Sequence, residues 1–305
     1  MDKMGLLWKN IFAPDTSYSK THLMNPIPKS PMIGEVRTQE LLESATTYVY
    51  EKTPQGDLSA HFFFPPDFDH SAQQRPVIVF FHGGVWDISA PTQFIPHCHH
   101  FASRGMIAVT AEYRTKAKFD GGPEEAIMDT KTVLSFLRYH AAQMGIDPNR
   151  IVACGAAAGA HAALCATLHP HENTEFPSPK PQALILFGPI TDTGPKGVGS
   201  ALFSTPKEAK ITSPYAKLPQ KELPPCLIFH GTADRVVPVQ SSIRFSKRYA
   251  RKRNKCELMT FRNAGHTFFN YNSDERNYGL TLNAADNFLV KLGYLEPDPL
   301  AGEFQ

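Results

Sequence analysis

The chain has 305 residues, 42% of them hydrophobic, 11% aromatic and 20% charged, with 26 prolines and 20 glycines. That balance suits a folded protein of one large domain and excludes a disordered, collagen-like or coiled-coil chain. Thirty-one Lys and Arg against 29 Asp and Glu leave +2, read as no single-sign block and hence no footprint for nucleic acid or a lipid surface. No apolar run approaches the ~20 residues needed to cross a bilayer, so a soluble chain is expected. The N-terminus has no leader-like apolar core; the compartment is then the cytoplasm, or the periplasm or exterior if a leader has been removed. Five cysteines, none in a CxxC pair, read as free thiols in a core.

In chain order, residues 1–45 carry Pro14, Pro26, Pro28 and Pro31 among Leu6, Leu7, Trp8, Ile11 and Phe12. They read as an irregular arm or lid element that docks on the body of the protein. Thr46-Thr47-Tyr48-Val49-Tyr50 and Leu58-Ser59-Ala60-His61-Phe62 flank the turn cluster Thr53-Pro54-Gln55-Gly56-Asp57, the pattern of an antiparallel hairpin. The run from Arg75 to Phe81, ending in His82-Gly83-Gly84, is continuously apolar, as in a strand buried on both faces. A helix over Gln93 to Ser103 leads to a second buried strand, Gly105 to Tyr113. Pro123 opens a helix with Ile127, Leu134, Leu137 and Ala141 on one face. A turn at Asp147-Pro148-Asn149 precedes the strand Arg150 to Gly155 and a helix to about Leu168. Three further strands (Gln182–Ile190, Pro225–Gly231, Cys256–Phe261) and helices at Val239–Arg251 and Glu275–Leu292 complete the pattern. Strands alternating with helices predict a mostly parallel sheet covered on both faces.

Four segments fall at the C-terminal ends of these strands, where open α/β sheets hold their sites. They are His82-Gly83-Gly84-Val85-Trp86, Gly155-Ala156-Ala157-Ala158-Gly159, Gly231-Thr232-Ala233-Asp234 and Gly265-His266. On these residues, from about Thr46 to Leu295, the chain resembles an α/β-hydrolase of the hormone-sensitive-lipase-like esterase group, and within it bacterial acetyl esterases and carbohydrate acetylesterases. The resemblance implies one α/β-hydrolase domain over 46–305, with 191–223 as an inserted lid or cap loop. In that family a Gly-x-Ser-x-Gly turn is followed by an acid and then a histidine. Here Gly155-x-Ala157-x-Gly159 is followed by Asp234 and then His266. Order and spacing fit, but Ala157 stands at the nucleophile position.

A methyl group cannot attack a carbonyl, so this chain is expected to lack the serine-esterase cycle. The small residues around 157 and the retained acid, base and glycines are what a Ser→Ala variant would leave. A natural pseudoenzyme is the other source. The resemblance assigns His266 as general base, Asp234 as its orienting acid, and the amides of Gly83, Gly84 and Ala158 as the oxyanion hole. Trp86 and His161 are expected to contact substrate. The substrate implied is a small-molecule carboxylic ester with a short acyl group such as acetyl, on a sugar in the nearest resemblance, with no cofactor and no metal. His97, Cys98, His99 and His100 are too closely spaced on one helix to converge on an ion. Glu112-Tyr113-Arg114 reads as charge pairing beneath the site, and Lys207–Lys221 as a solvated connection. Two other readings are a hydrolase fold kept as a ligand-binding protein, motivated by Ala157, and an amidase of the formamidase type, which the His-Gly-Gly-x-Trp pattern also resembles.

Overall fold

The computed structural model describes residues 35–69, 74–169 and 175–298. The apolar residues Leu6 to Phe12 lie outside them. The helix α1 (Glu35–Leu42) occupies a stretch expected to be irregular. No proline follows Pro31 there, and Leu41 supplies a buried anchor.

The expected hairpin is present as β1 (Thr46–Thr53) and β2 (Gly56–Phe63), paired antiparallel. Then come β3 (Arg75–Phe81), α2 (Ile95–Ser103), β4 (Ile107–Ala111), the short α3 (Lys116–Phe119), α4 (Pro123–Tyr139), β5 (Ile146–Ala156), α5 (Ala157–Leu168) and β6 (Ala183–Phe187). The chain continues through α6 (Pro206–Ile211), β7 (Cys226–Gly231), α7 (Val239–Tyr249), β8 (Cys256–Phe261) and α8 (Glu275–Lys291). The sheet order is β1-β2-β4-β3-β5-β6-β7-β8. Only the β1/β2 and β2/β4 pairs are antiparallel. The expected turn at Asp147-Pro148-Asn149 lies inside β5. A register shift against β3 between Arg75 and Val77 absorbs it, as a bulge does.

Side-chain alternation divides the core. Val77, Val79 and Phe81 face the cluster that holds α4, α5 and α7, while Ile78 and Phe80 face the one that holds α1, α2 and α8. A strand segment whose two faces are both covered must be apolar, which is why Val77–Phe81, Ile151–Cys154, Ala183–Phe187 and Cys226–Phe229 read as unbroken apolar runs. The strands thus end together at one rim, where the loops carrying the four motifs emerge.

The 191–223 segment joins β6 to β7. Its Lys207–Lys221 stretch is more ordered than the expected solvated connection. Thr205 caps α6 by accepting from Glu208 N, and Ala209, Pro214 and Leu218 are buried. Thr193 Oγ1 donates to Ala209 O at 2.7 Å. Its charges point outward, and its few apolar side chains seat it on α5.

Candidate active site

The turn from β5 into α5 is the most constrained point of the rim. Ala156 is extended (φ −116°), and Ala157 is left-handed (φ 46°). A non-glycine residue held there costs roughly 1–3 kcal/mol. The turn closes only because its neighbours lack side chains. A Cβ on Gly155 would lie 2.7 Å from Ala160 N, and one on Gly159 would collide with the carbonyls of Phe81 and His82 at the end of β3. Gly159→Ala is therefore expected to cost about 3 kcal/mol, an overpacking value. Thermal unfolding would measure it, and an unchanged midpoint would refute this account of the turn.

The acid and the histidine meet beside this turn. His266 Nδ1 donates to Asp234 Oδ2 at 2.7 Å, leaving Nε2 as the basic edge. Asp234 is wholly shielded, whereas the His266 side chain is 20% exposed. Burial alone would raise the Asp234 pKa. The hydrogen bonds from His230, His266 and the Val237 amide outweigh it and hold the carboxyl well below the usual range. Its Oδ1 accepts from Val236 and Val237 N at 2.8 and 2.9 Å, and His230 Nε2 lies 3.3 Å from Oδ2. The loop after β6 links this pair to the turn. A Cβ built on Gly188 would be 3.3 Å from His266 Cε1 and 3.4 Å from Asp234 Oδ2, while Ile190 N donates to Ala157 O.

The glycine loop differs from expectation at one position. Gly83 N donates to Gln93 Oε1 at 2.7 Å, so this amide is already committed and cannot serve an incoming oxygen unless that bond breaks. Gln93 Nε2 in turn donates to Asn270 Oδ1 at 3.2 Å, tying the glycine loop to the loop that follows His266. Gly84 (φ 118°) adopts a conformation closed to side chains, with Ile88 O at 2.5 Å from where a Cβ would sit. Val85 and Trp86 continue in left-handed conformations (φ 53° and 60°). Ala158, in the first turn of α5, has an N–H with no intrahelical acceptor.

Two residues expected on the substrate wall are packed behind it. His161 is fully buried and meets Trp86 edge-on at 5.3 Å, with Phe203 across both rings. Trp86 is itself buried. An open cavity lies on the other side of the glycine loop. It has about 1050 Å³ and is lined by Ile88, Gln93, Lys118, Thr267, Asn270 and Tyr271, among others. Beneath the loop, Tyr113 stacks on His82 at 4.2 Å and donates to its carbonyl. Arg114 forks onto buried Asp129, the closest contact being 2.6 Å. Gln93, Asn270 and His230 carried no sequence signal of their own, since each acts through a partner distant in the chain or behind the motif. On α2, His97 is enclosed by Phe80, Phe94, Phe187 and Tyr278, and His100 bonds Asp286. No group of three or more metal-ligating side chains occurs among the described residues.

Comparison with known proteins agrees with this architecture. Residues 64–184 match the BD-FAE family, and residues 199–291 match the prolyl oligopeptidase family. Esterase 2 of Thermogutta terrifontis is 36% identical, covering 84% of this chain and 98% of that one, with a TM-score of 0.78. Its propionate-bound form is 36% identical over 84% and 97%, with a TM-score of 0.77. A probable isoprenylcysteine alpha-carbonyl methylesterase of Arabidopsis thaliana is 24% identical over 65% of this chain and 46% of its own length. Endo-1,4-beta-xylanase B of Butyrivibrio fibrisolvens is 28% identical over 50% and 26%. The chain spans about half the length of the isoprenylcysteine methylesterases it matches. It belongs to the α/β-hydrolase esterases.

Proposed function

We propose that this site is that of a carboxylic-ester hydrolase for short acyl groups, acetyl on a carbohydrate among them, and that Ala157 leaves it able to bind ester but not to form an acyl-enzyme. What carries the reading is the left-handed turn at Ala157 beside the Asp234–His266 hydrogen bond. With serine at 157, His266 Nε2 would take the hydroxyl proton and return it to the leaving alcohol, while Asp234 would steady the imidazolium. Gly84 and Ala158 would supply the amides for the oxyanion, with Gly83 needing to give up Gln93 before it could join them. Propionate bound to the Thermogutta esterase supports a short acyl group, and the xylanase relative supports a carbohydrate. The 191–223 segment, and α1 through Thr38 and Gln39 on the cavity wall, would select among esters.

With the covalent step gone and the binding contacts kept, an intact ester should persist. A crystal soaked with an acetylated xyloside is expected to show an uncleaved acetyl group beside Ala157, its carbonyl oxygen toward the Gly84 and Ala158 amides. Ligand found only at a remote surface would favour a hydrolase fold kept as a receptor for another class of molecule. The same Ala157 motivates that second reading.

A further inference from the structure

Between Asp234 and Glu257 the chain carries eight cations and no carboxylate, leaving 23 cations elsewhere against 29 carboxylates. The near-neutral total hides this block, which corrects the reading of evenly mixed charge. The structure makes it one surface. Arg244, Lys247, Arg248 and Arg251 recur at helical spacing along and just beyond α7, a stripe of about 10 Å, and Lys252, Arg253 and Lys255 extend it up to the start of β8. All but Arg248 are exposed. Arg248 lies over the Tyr215 ring at 4.7 Å. Among the described residues, none of the seven forms an ion pair, bordering Glu222 and Glu257 included.

Cations at a helix C-terminus favour its dipole, but that effect ends within the last turn and does not require the turn that follows. This turn is held rigidly. Asn254 Nδ2 donates to the carbonyls of Tyr249, Arg251 and Gln220, and its Oδ1 accepts from Leu223 N. The staple keeps Lys252 and Arg253 left-handed (φ 63° and 67°) and exposed. Strained backbone that projects unpaired cations is preorganised for anions, because the ordering cost is met before binding.

We propose that the α7–β8 turn is a docking surface for an acidic polysaccharide. The choice among polyanions rests in part on the carbohydrate-ester reading. It also rests on what the patch lacks. Tyr249 and Phe245 are fully buried and the half-buried Tyr215 ring is covered by the Arg248 guanidinium, so there is no free platform for stacking bases. The apolar face of α7 is spent on the core, and Val236 and Met259 are isolated exposed apolar side chains, so there is no face to enter a bilayer. Guanidinium forks suit carboxylate and sulfate alike. The patch and His266 lie at opposite ends of β8, about 20 Å apart along the strand, so docking is separate from chemistry.

Fluorescence anisotropy of the full chain with labelled polygalacturonate and with a sulfated galactan would test this. Binding to at least one polymer is expected, weakening steeply from 50 to 200 mM salt. Arg251→Gln/Lys252→Gln/Arg253→Gln should raise its Kd about tenfold or more with an unchanged melting temperature. Absence of salt-dependent binding, equal binding by the triple variant, or tighter binding to duplex DNA or phosphatidylserine vesicles would overturn the proposal. No arm reads ester turnover, so loss of the hydrolase reading would leave these measurements standing.

Discussion

Ala157→Ser is expected to raise hydrolysis of p-nitrophenyl acetate by at least 10⁴-fold. Removing the serine from such a triad costs about a million-fold elsewhere, and the groups proposed to activate it are hydrogen-bonded to each other here. Asp234 is ionised and fully bonded, His266 Nδ1 is engaged with it, and the turn at 157 is already left-handed. Serine therefore enters a turn whose strain is present, and the folded state pays for no new geometry. His266→Ala added to Ala157→Ser should erase the gain, since an unassisted hydroxyl is a poor nucleophile at neutral pH. Steady-state rates of the parent, single and double variants would show it. Serine restored without turnover of acetyl esters or of N-formylkynurenine would refute the hydrolase reading, and turnover of the amide alone would move it to the formamidase type.

Acid should unfold this protein well before its carboxylates titrate. Burial pushes His82 and His140 down to about 4 and His97 and His161 down to about 3. His61, His99 and His169 shift in the same direction, also through burial. The unfolded chain binds protons near pH 6.5, whereas the folded chain refuses them until pH 3–4, so stability falls as pH drops below about 6.5. At pH 5 each of His82, His97 and His161 has removed about 2 kcal/mol, and together they approach the whole stability of an ordinary domain. Thermal melts from pH 8 to 5 should show a flat plateau and then a steep fall, with about four protons taken up on unfolding at pH 5. His97→Phe, which adds apolar volume among aromatic neighbours, should soften the fall. A melting temperature independent of pH across that range would contradict the buried neutral state of these imidazoles.

The fold was legible because burial on both faces of a parallel sheet leaves a mark in the one-dimensional pattern. Val77 to Phe81 and Leu184 to Phe187 are apolar without a break, and the turns between such runs need glycine or a short polar residue. The turn at Ala157 was legible for a steric reason as well: Gly155 and Gly159 must lack side chains wherever a helix turns this sharply off β5. Asp234 and His266 were placed by a resemblance whose order the strands preserve.

What the chain order could not contain was which groups share a hydrogen bond across it. Gln93 takes the Gly83 amide and bonds Asn270, 177 residues away, and neither glutamine nor asparagine signals such a partner. Trp86 read as a wall residue from the family resemblance and His161 from its nearness in the chain to the turn at 157, yet the packing of 191–223 over α5 buries both. The basic surface shows the same limit from the other side. A total charge of +2 is a sum, whereas a partner meets a local field, and α7 with its stapled turn gathers one sign of that sum into a single place. Local sterics and burial periodicity are properties of neighbours in sequence. Hydrogen-bond partners, exposure and field are properties of neighbours in space, and only the folded chain sets those.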